Sequence, residues 1–219
     1  MVRVFACKYN EDKKDILLDK MSLLRLADSN RIKRYKFDSD RGLSFLGMAI
    51  LYCFADKYTG FEDEVTFLET YDFITADNLS SKYEIEVSSD GKPFFKGNEV
   101  YFNISHSDDM CMVALSDREI GFDVQHLRKL KCDVAGRFFH KLDNEYLSGL
   151  SGDRNSEVAK MWSIKESFVK LDGRGIGYGM GNFYVDYKEN CVRNNEGEKL
   201  AEFKAFVFEK VYYCAYSQY

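Results

Sequence analysis

The sequence has no apolar run long enough to cross a bilayer, no basic leader followed by an apolar core, and no paired cysteine motif. A membrane-spanning helix needs roughly 18–20 apolar residues, and a secretory leader needs a basic start before its apolar core. The six cysteines are scattered, without the C-x-x-C spacing of metal and redox sites. We therefore expect a soluble, cytoplasmic protein whose thiols stay reduced.

Proline is scarce as well, and acidic residues outnumber basic ones. Pro93 is the only proline, and the formal net charge is −5. An acidic protein lacks the basic face that a general nucleic-acid binder needs, although a local basic pocket for a phosphate-bearing ligand is still possible. A hydrophobic content of 45%, with 16% aromatic residues, is ample for a packed core and excludes a disordered chain.

Apolar periodicity predicts alternating groups of helices and strands. Helices are predicted at residues 16–26, from Asp38 or Ser39 onward, and at residues 133–150. A further helix is predicted to end at Gly173. Residues 60–82 are predicted to form a loop with a short helix. Strands are predicted at 2–7, 83–87, 100–104, 111–115, 120–124, 183–187, 203–208 and 212–216. This order indicates an α+β protein with two halves, residues 1–118 and 119–219.

The stretch MWSIKESFVKLDGRG, residues 161–175, reads as the end of an amphipathic helix. At about 100° per residue, one side collects Val158, Met161, Trp162, Lys165, Phe168 and Val169. Glu166 and Lys170 lie one turn apart at the edge of this apolar side. They are either a solvated i,i+4 ion pair or a metal ligand beside a phosphate-binding cation.

Two further polar segments lie at predicted strands. FNISHS contains Ser105 and His106, and IGFDVQ contains Asp123 and Gln125, which project from the same face of a strand. An aspartate on a strand facing Glu166 on a helix would make an oxygen-rich site suited to Mg²⁺. Taken singly, His106 also fits a structural, hydrogen-bonded histidine, and Asp123 a turn or capping residue.

In this order, FNISHS, IGFDVQ, RFFHKLDNEYL and MWSIKESFVKLDGRGI resemble the motifs of the 4′-phosphopantetheinyl transferases. The similarity is to the large two-halved type, which serves peptide and polyketide synthetases. It covers roughly residues 30–176, including RIKRYKFDSDRGLSFLG and GKP, and the ends of the chain match in pattern only. W-x-x-K-E-S-x-x-K followed by G-[KR]-G, after an I-G-x-D segment, is highly specific.

The resemblance implies a fold and an activity. Such enzymes move the phosphopantetheine arm of coenzyme A to a serine of an apo acyl or peptidyl carrier protein and release 3′,5′-ADP, as in holo-[acyl-carrier-protein] synthesis. Their fold is a pseudo-dimer of two α/β halves, with coenzyme A and Mg²⁺ in the cleft between them. Two fused halves remove the need for a second chain, so we expect a monomer.

The resemblance also implies roles for individual residues. Asp123 and Glu166 would hold Mg²⁺, Lys170 would neutralise phosphate charge, and Glu166 would act as the base for the carrier serine. The RFF segment would receive the carrier's helix. The residues implied to contact coenzyme A are Arg31, Arg41 and Ser44 at its 3′-phosphate, Lys92 and Pro93 at its adenine, and Ser105, His106 and Lys170 at its phosphates.

Gln125 departs from the family pattern, which commonly has a carboxylate there. An amide oxygen can ligate Mg²⁺ but carries no charge, so we expect activity with a raised Mg²⁺ requirement. One alternative is a homologue that has lost catalysis and only binds coenzyme A or a carrier domain. Another is a structural protein that keeps the fold, which a failure to bind coenzyme A would reveal.

Overall fold

The computed structural model describes residues 1–58, 63–80, 82–97, 100–128 and 133–219, except for the side chains of Asp133, Ile176 and Gly177. The chain divides into two units. The first contains Met1–Glu86 and Phe94–Arg118, and the second contains Val87–Pro93 and Glu119–Tyr219. Helices and strands are mixed throughout the described residues, which confirms the predicted α+β class.

The first unit is built on a four-stranded sheet. The elements from its first residue to Arg118 are β1 (Val2–Lys8), α1 (Lys14–Lys20), α2 (Leu26–Ile32), α3 (Asp38–Ala55), β2 (Glu64–Leu68), α4 (Ala76–Leu79), β3 (Ile85–Val87), β4 (Pro93–Phe95), β5 (Tyr101–Ser107) and β6 (Met110–Ser116). The strand order is β2-β1-β6-β5, with β1 parallel to β2 and the other pairs antiparallel. Strands β3 and β4 form a separate small sheet, and α3 packs against β5 and β6.

Helix α3 comes close to the sheet at Gly47. A Cβ at this position would lie 2.7 Å from Ile104 Cγ2, which confirms the close packing that a glycine inside an apolar helix indicates. The predicted cap was wrong, because Phe37 takes the capping position without a side-chain hydrogen bond. Asp38 instead lies in the first turn, where its negative charge stabilises the helix N-terminus. It also accepts a hydrogen bond from Arg41.

Two further predictions in the first unit differ from the structure. The helix predicted at 16–26 stops at Lys20, and a 3₁₀ turn follows at Met21–Leu23. The buried Leu24 is then extended, with φ −70° and ψ 157°, so the chain turns before α2. In residues 60–82 the predicted short helix is present as α4, but strand β2 was not predicted. It is an edge strand with mostly exposed side chains, so its sequence lacks the alternation of a half-buried strand.

The second unit is built on a five-stranded antiparallel sheet. Its elements are β7 (Gly121–His126), α5 (Asp133–Phe138), α6 (Lys141–Ser148), α7 (Arg154–Asp172), β8 (Phe183–Asp186), β9 (Cys191–Asn194), β10 (Lys199–Phe208) and β11 (Tyr212–Gln218). The strand order is β7-β11-β10-β9-β8, with every pair antiparallel. Helix α7 packs on β7 and β11.

The single helix predicted at 133–150 was wrong, because the structure has two helices there. His140 is extended, with φ −61° and ψ 152°, and its Nδ1 accepts a hydrogen bond of 3.2 Å from the Leu142 N–H. This contact satisfies one of the N–H groups that a new helix leaves without an intrahelical partner. His140 therefore ends one helical segment and caps the next.

Helix α7 has the end that the sequence predicts. At its start Asp153 accepts a hydrogen bond of 3.1 Å from the Asn155 N–H. At its end Gly173 adopts the left-handed conformation, with φ +90°, and donates its N–H to the Val169 carbonyl. A left-handed residue after the last turn is the usual reason for glycine at a helix end.

Gly121 allows α7 and β7 to approach closely. A Cβ on this residue would lie 1.9 Å from the Ser167 carbonyl oxygen and 2.3 Å from the Leu171 backbone nitrogen. Both atoms belong to the helix backbone and cannot swing aside as a side-chain tip would. Only glycine therefore fits this position, which gives the I-G-x-D segment a physical reason.

The described cysteines are buried free thiols, as expected: Cys7, Cys53, Cys111, Cys191 and Cys214. Cys132 lies outside the described residues. In the described part of the chain, no helix combines the length and apolarity needed to cross a membrane.

The contact at Gly121 predicts a large effect of one methyl group. Gly121→Ala should lower the free energy of unfolding by about 3 kcal/mol or more, because overpacking against backbone forces the helix away from the strand. Gly136→Ala is the matched control, since Gly136 is an exposed residue of α5 and a Cβ added to it would have no neighbouring atom within 4 Å. The control should be neutral or stabilising by up to about 1 kcal/mol. Urea unfolding measures both, and equal midpoints would contradict the prediction.

Candidate active site

Asp123 is a buried aspartate on β7, with 6% of its surface exposed. Strand alternation places it on the same face as Gly121, which is the face that α7 covers. Lys170 reaches it from α7. Its Nζ donates hydrogen bonds to Asp123 Oδ1 at 2.8 Å and to the Phe122 carbonyl at 3.2 Å. The sequence predicts Asp123 facing Glu166, and the structure adds an ion pair between Asp123 and Lys170 that was not predicted.

Glu166 lies one turn before Lys170 on α7 and is half-buried. Burial raises the pKa of Glu166 above its ordinary value, and the nearby negative charge of Asp123 raises it further, whereas Lys170 lowers it. The two carboxylates thus interact with each other and with the same ammonium. This arrangement concentrates two negative groups and one positive group at one edge of the helix.

Two serines of α7 form hydrogen bonds that hold the helix against the sheet. Ser163 Oγ donates a hydrogen bond of 3.3 Å to the Asp123 carbonyl, and the Ser167 and Ser217 hydroxyls are 2.7 Å apart. Both helix serines are fully buried. Sequence reasoning missed them. The available signal was two small residues four positions apart, on the side of the helix that faces Gly121.

Gln125 follows Asp123 by two residues and so shares its face of the strand. The side chain is half-buried, and its amide nitrogen donates a hydrogen bond of 3.3 Å to the His126 carbonyl. The carbonyl oxygen is the only atom of a neutral amide that ligates a hard cation. Gln125 can therefore offer one oxygen without charge.

The donors on β7 and α7 fit Mg²⁺. Within the described residues, no group of three or more histidine, cysteine, aspartate and glutamate side chains is placed to hold a metal ion. Mg²⁺ does not need one, because it usually takes one or two carboxylates and completes its shell with waters and substrate phosphates. Asp123 and Glu166 are the two carboxylates that β7 and α7 present here. Burial first, and the charge of Asp123 second, raise the pKa of Glu166, and a divalent cation would offset both effects.

Lys92 lies at the end of α7. Its Nζ donates a hydrogen bond of 2.8 Å to the Leu171 carbonyl. Burial lowers the pKa of Lys92, against the charges of Glu119 and Asp172. The lysine thus donates a hydrogen bond to one of the carbonyls that a helix C-terminus leaves without an intrahelical partner. Pro93 follows, half-buried, at the start of β4.

The first unit holds the other residues implied to contact coenzyme A. Arg31 is an exposed residue of α2 that lies 3.6 Å from Asp28. Arg41, in the first turn of α3, donates hydrogen bonds to Asp38 at 2.7 Å and to the Tyr35 carbonyl at 2.9 Å. Ser44 follows on the same helix and is half-buried. Both arginines therefore already have acidic neighbours.

Ser105 and His106 are consecutive residues of β5, so they point to opposite faces of the strand. Ser105 is buried, with 5% of its surface exposed, and His106 is exposed. The histidine is therefore the accessible member of this pair.

Part of the chain is similar to a known family. Residues 119–217, slightly less than half of the chain, match the family described as the 4′-phosphopantetheinyl transferase superfamily. The second unit therefore resembles this superfamily. Asp123, Glu166 and Lys170 lie inside the matched residues.

Three curated relatives are named as transferases of this superfamily. The 4′-phosphopantetheinyl transferase gsp of Aneurinibacillus migulanus is 29% identical over 172 residues, which cover 70% of this chain and 71% of the relative. The transferase psf-1 of Bacillus pumilus is 34% identical over 109 residues, covering 48% and 46%. The transferase Sfp of Bacillus subtilis strain 168 is 30% identical over 125 residues, covering 52% and 55%. The last two are thus matched over about half their length.

Proposed function

We propose that this protein transfers the 4′-phosphopantetheine arm of coenzyme A to a serine of an apo carrier protein and releases 3′,5′-ADP, the holo-[acyl-carrier-protein] synthase reaction. The observation that carries the proposal is the group of Asp123, Glu166 and Lys170, which lies within the residues that match the transferase superfamily. The names of the relatives support the same activity.

The reaction exchanges one phosphorus–oxygen bond for another. The serine oxygen bonds to the phosphorus that carries the pantetheine, the diphosphate linkage breaks, and 3′,5′-ADP leaves. Such transfer depends mainly on positioning and on stabilising charge on the phosphate oxygens. Lys170 supplies a cation at the site, and Asp123 holds its ammonium in place.

Asp123 and Glu166 would hold Mg²⁺, with the Gln125 oxygen as a third, uncharged donor. When bound, Mg²⁺ neutralises phosphate charge and orients the diphosphate. The carrier serine also needs a base to accept its proton. Glu166 is our candidate, because its carboxylate lies beside Asp123 and Lys170 at the site.

Coenzyme A and the carrier are the partners that this function requires. We propose that Arg31, Arg41, Ser44, Lys92, Pro93, Ser105 and His106 contact coenzyme A, and that the protein works as a cytoplasmic monomer. For the carrier we propose the segment around Phe138, whose ring is 48% exposed. An exposed apolar side chain, whose ring centroid lies 6.4 Å from that of Trp162 on α7, suits a helix of a partner.

A second candidate function follows from Gln125. Because an uncharged amide stands where the family commonly has a carboxylate, a protein that binds coenzyme A or a carrier without transferring the arm is the alternative. Asp123, Glu166 and Lys170 are all present and in contact or close to one another, so we favour the transferase.

Intact-mass spectrometry of an apo carrier protein tests the function directly. After incubation with the protein, coenzyme A and Mg²⁺, the carrier should gain one phosphopantetheine, about 340 Da from the covalent modification. EDTA should abolish the gain. No gain on fatty-acid or peptidyl carriers, despite measurable coenzyme A binding, would favour the binding-only alternative.

Replacing Glu166 tests the proposed base. Glu166→Gln keeps the size of the side chain but removes its basicity, so turnover should fall about 10²–10⁴-fold with coenzyme A and Mg²⁺ saturating. Glu157→Gln is the matched control, since Glu157 lies on the same helix and pairs with Lys160. Near-normal turnover of the Glu166 variant would rule out its role as the base.

The metal requirement tests Gln125. If its amide oxygen ligates Mg²⁺, Gln125→Glu replaces it with a charged donor. The Mg²⁺ concentration for half-maximal turnover should then fall, by about tenfold for each 1.4 kcal/mol of Mg²⁺-binding free energy that the charge adds. The measurement is a Mg²⁺ titration of turnover for both proteins. Identical curves would count against a ligand role.

A further inference from the structure

Lys165 is a fully buried cation that the proposed chemistry does not use. It precedes Glu166 on α7, and its side chain has 0% of its surface exposed, as has its partner Asp143 on α6. The two groups form an ion pair, with 2.5 Å between Lys165 Nζ and Asp143 Oδ2. Lysine and aspartate are almost never fully buried unless they are paired in this way.

The pair joins three elements of the second unit. Lys165 Nζ also donates a hydrogen bond of 2.6 Å to the carbonyl of Phe183, the first residue of β8. Asp143 Oδ1 accepts a hydrogen bond of 2.9 Å from the Val185 N–H on the same strand. One ion pair with two backbone contacts thus ties α7 to α6 and to β8.

The surroundings of the pair are apolar. Lys165 Nζ lies 4.2 Å from the ring centroid of Phe183 and 5.4 Å from that of Phe139. Burial lowers the pKa of Lys165 to about 8, against the opposing effect of Asp143. A charge in such a place is costly, and buried ion pairs are often replaced by apolar residues without loss of stability. Net stability therefore does not explain why this pair is here.

The geometry of α7 gives the pair another role. On the sheet side, Ser163 and the Gly121 contact fix the helix against β7. Around the helix axis, Lys165 is about 100° from Glu166, so the ion pair holds the helix from a second direction. A side-chain end lies about 5–6 Å from the helix axis, so a rotation of about 10° would move it by roughly 1 Å. A misplacement of about 1 Å can cost a catalytic site 10²-fold in rate.

We propose that the buried Lys165–Asp143 pair is a positioning device, which sets the rotation of α7 about its axis and so holds Glu166 and Lys170 toward Asp123. The proposal rests on the proposed function for its kinetic consequence. Its structural content, the rotation of α7, does not depend on transferase activity.

The double variant Asp143→Asn/Lys165→Met tests this role. Met matches the length of Lys and suits the pocket between the two phenylalanine rings, and Asn keeps an acceptor for the Val185 N–H. Because both charges leave together, no isolated charge stays buried, and the thermal midpoint should stay within about 5 °C of wild type. Turnover should nevertheless fall about tenfold or more, with KM for coenzyme A changed less than about threefold.

Trp162 provides a readout that does not depend on activity. It is the only tryptophan, it lies on α7, and its ring centroid is 6.2 Å from that of Phe139. A rotation of α7 should shift its emission maximum and its quenching by acrylamide. The control is Glu157→Gln/Lys160→Met, which removes a partly exposed ion pair of the same helix and should leave turnover and Trp162 emission unchanged.

The outcomes separate the two proposals. Wild-type turnover and wild-type Trp162 emission in the folded double variant would overturn the positioning role. If the wild-type protein transfers nothing, the proposed function fails. Trp162 emission then still shows whether the ion pair sets the rotation of α7.

If the double variant does not fold, the single variant Asp143→Glu tests the positioning role instead. It keeps both charges but lengthens one arm by a methylene, so positioning predicts a several-fold lower turnover in a folded protein, and full turnover would overturn the proposal.

Discussion

The contact between α7 and β7 at Gly121 is the constraint on which the candidate site depends. Asp123 follows Gly121 by two residues on β7, and Lys170 precedes Leu171, whose backbone lies against Gly121, so this contact brings Asp123 and Lys170 to the same place, where they meet at 2.8 Å. The missing Cβ permits this approach, since the space for it is taken by the helix backbone. The buried hydroxyl of Ser163 then bonds the strand carbonyl directly. One absent methyl group thus permits both the packing and the electrostatics of the site.

The candidate site was largely predictable because its rules are local. Alternation along β7 places Asp123 and Gln125 on one face, and helical spacing places Glu166 and Lys170 one turn apart. The end of α7 was predictable for the same reason, since Gly173 has the left-handed conformation that its residue type favours. The resemblance to the transferases implied ligands for these residues, whereas the ion pair between Lys170 and Asp123 is known only from the structure.

The rest depended on contacts between distant residues. Apolar periodicity runs through residues 133–150 without a break, and only the capping contact of His140 shows that the helix restarts there. The sequence places Lys165 on the apolar side of α7, but it cannot show that Asp143, 22 residues earlier, is its partner. Strand β2 escaped prediction because an exposed edge strand carries little hydrophobic pattern. Periodicity reports which side of an element is buried, not what it is buried against.

The contact of Lys92 with the end of α7 has a consequence for the modularity of this protein. The hairpin tip Val87–Pro93 belongs to the second unit, whereas the chain on both sides of it belongs to the first. Neither unit is therefore a continuous piece of sequence, and the backbone passes between them three times. A fragment starting at Glu119 would lack Lys92, which donates a hydrogen bond to the Leu171 carbonyl. The remaining fragment would contain Lys92 but not α7. A single cut in the chain therefore does not separate the two units, even though each has its own sheet and its own core.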